Sequence, residues 1–298
     1  MGVIFRGFVA GAAGKAALAT VVAALAVSLP GCGSGAGSGS GGGAGDRAHH
    51  REHGGRGAGS HRADARPGEA RLQQSRVGWR PYTGPVPILV YHDLGDAPAS
   101  EPWPGLYMRY PVFASEMHWL HQQGYEAVTL DQLMDGWYHG GLLPRKPIVI
   151  TFDNGYPPQV TFAPAVMGRY GWPGVLNEIT EGHLSNATLR HVLSLGWEVD
   201  SHSLTHPDLT TITPAELHAQ VFGSRAFLRH TFHIPANSFC YPSSKYNAAV
   251  IAAVKAAGYT NAVTEGDTYA TRADPFLLAR FEMTAGLSQL IEDLAEAH

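Results

Sequence analysis

Short apolar runs alternate with amphipathic stretches over residues 81–298. The apolar runs, which predict buried strands, are Val86–Tyr91, Ala127–Thr129, Pro147–Phe152, Gly174–Ile179, Trp197–Asp200, Ser238–Tyr241, Thr260–Val263 and Phe276–Met283. The stretches with helical spacing are Phe113–Gln123, a segment through Leu133 and Trp137, Val160–Tyr170, Ser185–Leu195, Thr213–His230, Ala248–Ala257 and Ser288–Ala297. Repeated strand–helix units of this length predict an α/β fold with a parallel sheet, open or closed into a barrel.

One helix start is specified by its own residues. Thr213 can accept a hydrogen bond from the first turn, Pro214 has the backbone angle that a first helical residue needs, and Glu216 completes a capping box. The sequence therefore predicts a helix that begins directly after Thr213.

The first 80 residues differ in composition from the rest of the chain. Arg6 and Lys15 flank an apolar run at 16–29, and these 14 residues are fewer than the roughly 20 of a membrane-spanning helix. The run ends at Cys32 in Leu-Pro-Gly-Cys, which resembles a bacterial lipobox. We expect a lipoprotein signal peptide at 1–31 and a lipid on Cys32 that anchors the chain in the membrane. The alternative is an ordinary signal peptide followed by an incidental cysteine.

Residues 32–80 are rich in Gly and Ser and then in Arg and His, and such a composition cannot bury enough apolar surface to fold. We therefore expect a disordered tether. It would place a single folded domain, residues 81–298, at the extracellular face of a bacterial membrane, or release it as a secreted protein.

Charge and cysteine content exclude several classes of protein. The formal net charge is −4, but residues 81–298 carry 11 Lys and Arg against 21 Asp and Glu. This excess of acid argues against nucleic acid as a partner, since phosphates require a basic surface. Only Cys32 and Cys240 are present, which excludes a disulfide framework, and Cys240 in a predicted strand is expected to be a small core residue.

Three polar clusters follow predicted strands directly: Tyr91-His92-Asp93, Thr151–Tyr156, and His202-Ser203-Leu204-Thr205-His206. Each has an ordinary explanation by itself, such as a turn at Asn154-Gly155 or a surface histidine. Functional residues of βα folds collect at the carboxyl ends of strands. The coincidence of three clusters at such positions therefore predicts one active site.

These clusters resemble the motifs of the polysaccharide deacetylase family, the NodB-homology domain of carbohydrate esterase family 4. Thr151-Phe152-Asp153-Asn154-Gly155 matches Thr-Phe-Asp-Asp-Gly with one change, and His202–His206 matches His-Ser/Thr-x-x-His fully. The early Tyr-His-Asp and the late Phe276–Phe281 resemble the poly-N-acetylglucosamine deacetylase branch. The resemblance covers about residues 85–285 and implies a distorted (β/α) barrel of the NodB type.

The resemblance also implies a divalent metal held by His202, His206 and Asn154, with zinc expected and cobalt or nickel as alternatives. The family has an aspartate where this chain has Asn154, and a neutral amide oxygen should bind a cation more weakly. Asp153 could instead move onto the metal, at the cost of the general base. Asp200 could orient a ligand histidine or cap the following turn.

The remaining chemistry requires a base, an acid and a donor for the developing oxyanion. Asp153 is expected to take a proton from water, and His92 to protonate the departing sugar nitrogen. Ser243, with Tyr241, occupies the family's third motif, where an aromatic residue is usual at the position of Ser243. A backbone N–H near Ser243 could still support the oxyanion.

The leading hypothesis is a metal-dependent hydrolase that removes N-acetyl groups from a β-linked N-acetylglucosamine polysaccharide. The alternatives are a related domain that grips cell-wall glycan without turning it over and an esterase acting on O-acetyl groups, which needs the same residues. Several aromatic residues are candidates for stacking on sugar rings, although most will serve packing: Trp79, Trp103, Trp137, Trp172 and Tyr107. The sequence does not identify a protein partner, although one that exports or synthesises the polymer is plausible.

Overall fold

The computed structural model describes residues 76–296. Seven of its strands form a closed parallel barrel, and three short strands accompany them, which makes ten strands in the described residues. They are β1 (Ile88–Tyr91), β2 (Asp93–Leu94), β3 (Tyr107–Met108), β4 (Glu126–Ala127), β5 (Pro147–Asn154), β6 (Val175–Glu178), β7 (Glu198–Ser201), β8 (Ser238–Cys240), β9 (Asn261–Glu265) and β10 (Leu278–Glu282). The order around the barrel is β1, β5, β6, β7, β8, β9 and β10, and β10 pairs with β1. The predicted barrel is therefore confirmed, and of the two possible sheets the closed one is observed.

Two short elements extend this barrel. Strand β4 pairs with Pro147 and Ile148 at the amino end of β5. From Val149 onward, the same edge of β5 pairs with β1. Strands β2 and β3 form a separate parallel pair beyond the carboxyl end of β1. These two strands carry no strong apolar pattern, and the sequence analysis missed them.

The helices are α1 (Tyr110–Gln122), α2 (Leu130–Met134), α3 (Pro157–Thr161), α4 (Ala163–Met167), α5 (Asn186–Ser194), α6 (Pro214–Phe232), α7 (Ala248–Ala256) and α8 (Leu287–Glu296). The prediction of one helix over Val160–Tyr170 is wrong. That stretch holds the end of α3, then α4 and a 3-10 turn at Gly168–Tyr170, and Pro164 lacks the N–H that a continuous helix needs. Thr129, predicted in a strand, instead caps α2.

The predicted start of α6 is confirmed in detail. Thr213 Oγ1 accepts a hydrogen bond from the Glu216 N–H at 3.3 Å, and Glu216 Oε2 accepts one from the Thr213 N–H at 2.8 Å. The helix ends at Phe232, slightly beyond the predicted end, and His233 follows in the left-handed conformation with φ of 58°. Local capping chemistry thus determines where this long helix begins.

Side chains alternate along β5 between two environments, as a strand requires. Ile148, Ile150 and Phe152 belong to the apolar cluster that includes residues of the surrounding helices. Val149 belongs to a second cluster, which contains one residue from each of several neighbouring strands, Ile88, Val175, Val263 and Leu278. Thr151 and Asp153 continue the Val149 face toward the carboxyl end of the barrel. The barrel interior is therefore apolar at its amino end and polar at its carboxyl end.

The folded part begins before residue 81. Arg80 exchanges backbone hydrogen bonds with Leu143 at 2.8 and 2.9 Å, and Trp79 packs against the second apolar cluster. The expected signal peptide, the lipobox at Cys32 and most of the expected tether lie outside the described residues. Within residues 76–296, no helix combines the length and the apolar character needed to cross a membrane.

One carboxyl group lies in the core beneath the first strand. Glu116 of α1 is fully buried, and its Oε2 accepts a hydrogen bond from the Tyr91 hydroxyl at 2.9 Å. Its Oε1 has no partner within the described residues. Burial raises the pKa of Glu116 to about 7, against 4.5 for an ordinary glutamate.

We predict that Glu116→Gln makes folding less sensitive to pH. Between pH 4.5 and 7 the folded wild type binds a proton that the unfolded chain has lost, so its free energy of unfolding falls as the pH rises. Glutamine keeps an acceptor for Tyr91 without the charge. The free energy of unfolding of the variant minus that of the wild type, measured with urea, should rise by up to roughly 3 kcal/mol between pH 5 and pH 8. Equal differences at both pH values would contradict this account.

Candidate active site

A buried ion pair lies at the centre of the polar end of the barrel. Arg280 of β10 donates from Nη1 to Asp153 Oδ1 and from Nη2 to Asp153 Oδ2, both at 2.8 Å. The same Nη1 donates to Thr151 Oγ1 at 3.0 Å. The two charged side chains are each about 1% exposed. Arg280 thus holds the Asp153 carboxylate in one orientation by two parallel charge-assisted hydrogen bonds.

Two further residues complete the surroundings of Asp153. Asn177 Nδ2 donates to its Oδ1 at 2.7 Å, and the Cys240 thiol donates to its Oδ2 at 3.2 Å. Burial by itself would raise the pKa of Asp153, but the charge of Arg280 holds that pKa well below its usual range. The carboxylate is therefore ionised throughout the physiological pH range. Burial raises the pKa of the Cys240 thiol, which remains protonated.

The two histidines of the second motif lie beside this carboxylate. His202 Nδ1 lies 2.9 Å from the Cys240 carbonyl oxygen, to which it donates, and this bond leaves Nε2 facing Asp153 Oδ2 at 3.9 Å. The rings of His202 and His206 are 4.5 Å apart between centroids. Burial lowers the pKa of His202 to about 4 and also lowers that of His206. Both imidazoles are therefore neutral near pH 7, the form that binds metals.

Asn154 supplies an acceptor that no described residue uses. Its Oδ1 is buried without a hydrogen-bond partner, while Nδ2 lies 3.4 Å from the Tyr156 hydroxyl. An isolated buried carbonyl oxygen is costly unless something binds it. Neutral imidazole nitrogens and this oxygen are a donor set that suits a divalent metal. The residues predicted to hold the metal thus fit one.

A second grouping of possible ligand atoms also occurs here. One atom each from Asp153, His202 and Cys240 lies within 4.8 Å of the other two. Both Asp153 oxygens, however, already accept hydrogen bonds from Arg280, and the thiol is protonated. This grouping therefore suits a metal less well than the predicted set of His202, His206 and Asn154.

His92 follows β1 at the same end of the barrel. Its Nδ1 lies 3.7 Å from Glu282 Oε1, and Glu265 lies close to both groups. Gln159 Nε2 donates to the carbonyl oxygens of His92 and of Asp153, each at 2.6 Å. One amide therefore fixes the backbones of the expected acid and the expected base relative to each other.

The structure separates the two residues of the third motif. Ser243 lies in an exposed turn, which is joined to the site because Ser244 Oγ accepts a hydrogen bond from the Glu265 N–H at 2.8 Å. The Tyr241 ring is fully buried in an apolar cluster with Phe239, and the Tyr241 N–H is bonded to the Val263 carbonyl. Asp200 Oδ1 accepts from the Ser238 N–H, and within the described residues no hydrogen bond joins Asp200 to His202 or to the next turn.

The backbone is strained where these residues lie. Seven residues other than glycine have positive φ within residues 76–296, and five of them occur in the loops of this site: Asn154, Ser203, His206, Ser243 and Ser244. Such conformations cost free energy and persist where surrounding structure imposes them. Both the expected Asn154 ligand and the expected His206 ligand are among them.

The sequence analysis assigned no role to four residues that organise the site: Arg280, Asn177, Gln159 and Glu282. A signal existed for two of them. Asn177 and Arg280 stand in predicted strands that are mostly apolar, where an unpaired polar residue would be costly. Gln159 directly precedes a predicted helix and Glu282 shares a predicted strand with Arg280, and only the folded chain shows their contacts.

Part of this chain is similar in sequence to known proteins. Residues 141–262 match the family model described as Polysaccharide deacetylase. The chain is 26% identical over 211 residues to "Putative polysaccharide deacetylase YxkH" of Bacillus subtilis, covering 68% of this chain and 73% of that protein. It is 30% identical over 95 residues to "Poly-beta-1,6-N-acetyl-D-glucosamine N-deacetylase" of Escherichia coli, but the match covers 32% of this chain and only 14% of that protein.

The fold has solved counterparts as well. The structure titled "Streptococcus pyogenes deacetylase PplD in complex with acetate" superposes with a TM-score of 0.66 at 20% identity, covering 72% of this chain and 99% of that one. The predicted resemblance to the polysaccharide deacetylase family is therefore confirmed, because residues 141–262 match its family model and the relatives are named as deacetylases.

We predict that Gly155→Ala damages the site through a steric clash. Gly155 has φ of +84°, and an added Cβ would overlap the carboxylate of Glu178, a buried group whose pKa burial raises to about 7. Gly140→Ala is the matched control, because Gly140 has φ of +81° with nothing within 4 Å of an added Cβ. Thermal melts should show both variants destabilised by about 1 kcal/mol, because alanine disfavours a positive φ. Only the variant at position 155 should lose further stability. Equal losses would show that Glu178 leaves room.

A second prediction concerns the central ion pair. Arg280→Gln should lower the free energy of unfolding by roughly 3–5 kcal/mol, because it leaves the Asp153 charge buried without its partner. Arg272→Gln, at an exposed arginine, is the control. Adding Asp153→Asn to Arg280→Gln should restore part of the loss in a double-mutant cycle. Additive losses would contradict a coupled pair.

Proposed function

We propose that this protein is a metal-dependent hydrolase that removes N-acetyl groups from a β-linked N-acetylglucosamine polysaccharide at the extracellular face of a bacterial membrane. One observation carries the proposal: an ionised Asp153, fixed by Arg280, lies beside two neutral histidines and a free Asn154 oxygen. The substrate class is supported by the name of the E. coli relative and by the position of His92 directly after the first strand, which resembles the poly-N-acetylglucosamine deacetylase branch. The membrane location rests on the expected lipid at Cys32.

The base is Asp153. When bound by His202, His206 and Asn154, a divalent cation would polarise the acetyl carbonyl and lower the pKa of water. A carboxylate with a depressed pKa is a weak base, so it suits a water whose own pKa has been lowered. Because the planar guanidinium of Arg280 donates to both carboxylate oxygens, Asp153 keeps its orientation while it accepts the proton.

The acid is His92. Its Nδ1 lies 3.7 Å from Glu282 Oε1, and this carboxylate can hold the ring in position to donate a proton to the leaving sugar nitrogen. The exposed turn at Ser243 offers a backbone N–H near the site, and such a donor can stabilise negative charge on the acetyl oxygen. The Tyr241 side chain takes no part, because its ring is buried in the core.

Zinc is the expected metal, with cobalt or nickel as alternatives, since two imidazoles and one oxygen suit several first-row ions. The neutral Asn154 favours a second candidate function, a domain that binds glycan without turnover because its metal binds too weakly. An esterase for O-acetyl groups would use the same base and acid, so only substrate tests separate it from an amidase.

We predict that the purified full chain releases acetate from N-acetylglucosamine oligomers when zinc or cobalt is present, and that chelation abolishes the release. Asp153→Asn should lower the rate by at least about 100-fold, within the range for loss of a general base. O-acetylated xylan serves as the comparison substrate. Release from the O-acetyl substrate alone would support the esterase, and no release by a folded, metal-loaded protein would favour the glycan-binding domain.

Asn154→Asp should tighten metal binding, because it replaces a neutral ligand with a charged one. Isothermal titration with zinc should show at least roughly a tenfold lower Kd, about 1.4 kcal/mol. Asn186→Asp, at an exposed asparagine on α5, is the matched control for added charge. A Kd unchanged by Asn154→Asp would show that this side chain does not bind the metal.

A further inference from the structure

A cavity lies at the opposite end of the barrel from the active site. It has a volume of about 230 Å³ and is lined mainly by Trp79, His121, Glu126, Gln132, Tyr170 and Trp172. Glu126 and Ala127 of β4 pair with the first residues of β5, whereas Asp153 lies near the last. Since a strand rises about 3.3 Å per residue, the cavity is roughly 15–20 Å from Asp153 along β5. No step of the proposed reaction uses it.

Aromatic rings form a large part of its wall. Tyr170 and Trp172 are 5.1 Å apart between ring centroids, and His121 stacks on Tyr170 at 4.5 Å. Trp79 is partly exposed, and its indole Nε1 donates to Glu126 Oε2 at 3.1 Å, which fixes the ring at the rim. These rings are held by their contacts before any ligand arrives, so binding would cost little side-chain entropy.

Polar groups stand beside the rings. Gln132 Oε1 accepts from the Thr129 N–H in the cap of α2, while the Gln132 Nε2 donor has no partner within residues 76–296. The imidazole nitrogens of His121 likewise make no hydrogen bond to the described residues, and Glu126 offers a second carboxylate oxygen. Aromatic surface with a few convergent polar groups is the usual composition of a ligand site.

We propose that this cavity is a second, non-catalytic binding site for one pyranose ring of an N-acetylated polysaccharide. A pyranose has apolar C–H faces that pack on aromatic rings and hydroxyl groups that need donors and acceptors, and the cavity offers both. Its volume is below the roughly 300–1,000 Å³ of typical ligand pockets, which suits a single ring rather than an oligomer.

The choice of sugar rests on the proposed function, because the active site handles such a polymer. A chain long enough to reach both places would be held at the cavity while another of its sugars is at Asp153. Two linked contacts of this kind raise the apparent affinity for a polymer without affecting short oligomers.

The test measures retention of the purified full chain on an insoluble β-linked N-acetylglucosamine polymer. It uses an Asp153→Asn background, so that no turnover alters the polymer. Trp79→Ala and His121→Ala should each weaken retention at least about fivefold, equal to about 1 kcal/mol. Tyr138→Ala, at a partly exposed aromatic outside the cavity, should leave retention unchanged. Unchanged retention in both cavity variants would overturn the proposal.

A second measurement separates the cavity from the fold and from the reaction. In the otherwise native chain, Trp79→Ala and His121→Ala should leave acetate release from a short oligomer within about twofold of wild type. An equal loss on short oligomer and polymer would mean that the substitutions act through the fold, which would overturn the proposal. If the native chain releases no acetate, the proposed reaction fails, yet retention that depends on Trp79 and His121 would still support the cavity site.

Discussion

The paired hydrogen bonds between Arg280 and Asp153 are the constraint on which the site depends. A carboxylate beside two histidines could serve either as a metal ligand or as a base, and its orientation decides which. Here both oxygens face the guanidinium at 2.8 Å, in a place almost without solvent, and moving either would leave a buried charge without its partner. In the proposed site the third metal ligand would then come from Asn154, whose oxygen has no hydrogen-bond partner within the described residues.

The barrel explains how residues so far apart in sequence reach one place. Inward positions at its amino end are apolar and fill the interior, while the same faces at the carboxyl end present Asp153, Asn177 and Arg280. The loops that follow the strands carry most of the left-handed residues in the described chain. Strain is thus concentrated where geometry matters for chemistry, and the packed apolar end holds it in place.

Much of the fold could be predicted from the sequence because its signals are local. Apolar runs located the barrel strands, and the Thr213–Glu216 capping box located the start of α6. The motif residues Asp153, His202 and His206 could be named from spacing and family resemblance. The partners of those residues could not, since Arg280 reaches Asp153 across 127 positions of sequence and no local pattern records such a contact. The break between α3 and α4 had a local signal in Pro164, but helical spacing alone does not show it.

A crystal structure of the full chain with zinc would test the central claim most directly. The account predicts zinc bound by the side chains of His202, His206 and Asn154, with both Arg280–Asp153 hydrogen bonds retained. It would be contradicted by Asp153 turned away from Arg280 and bound to the zinc, with Asn154 left outside the coordination shell. That arrangement would remove the base and favour the alternative of a domain that binds glycan without turnover.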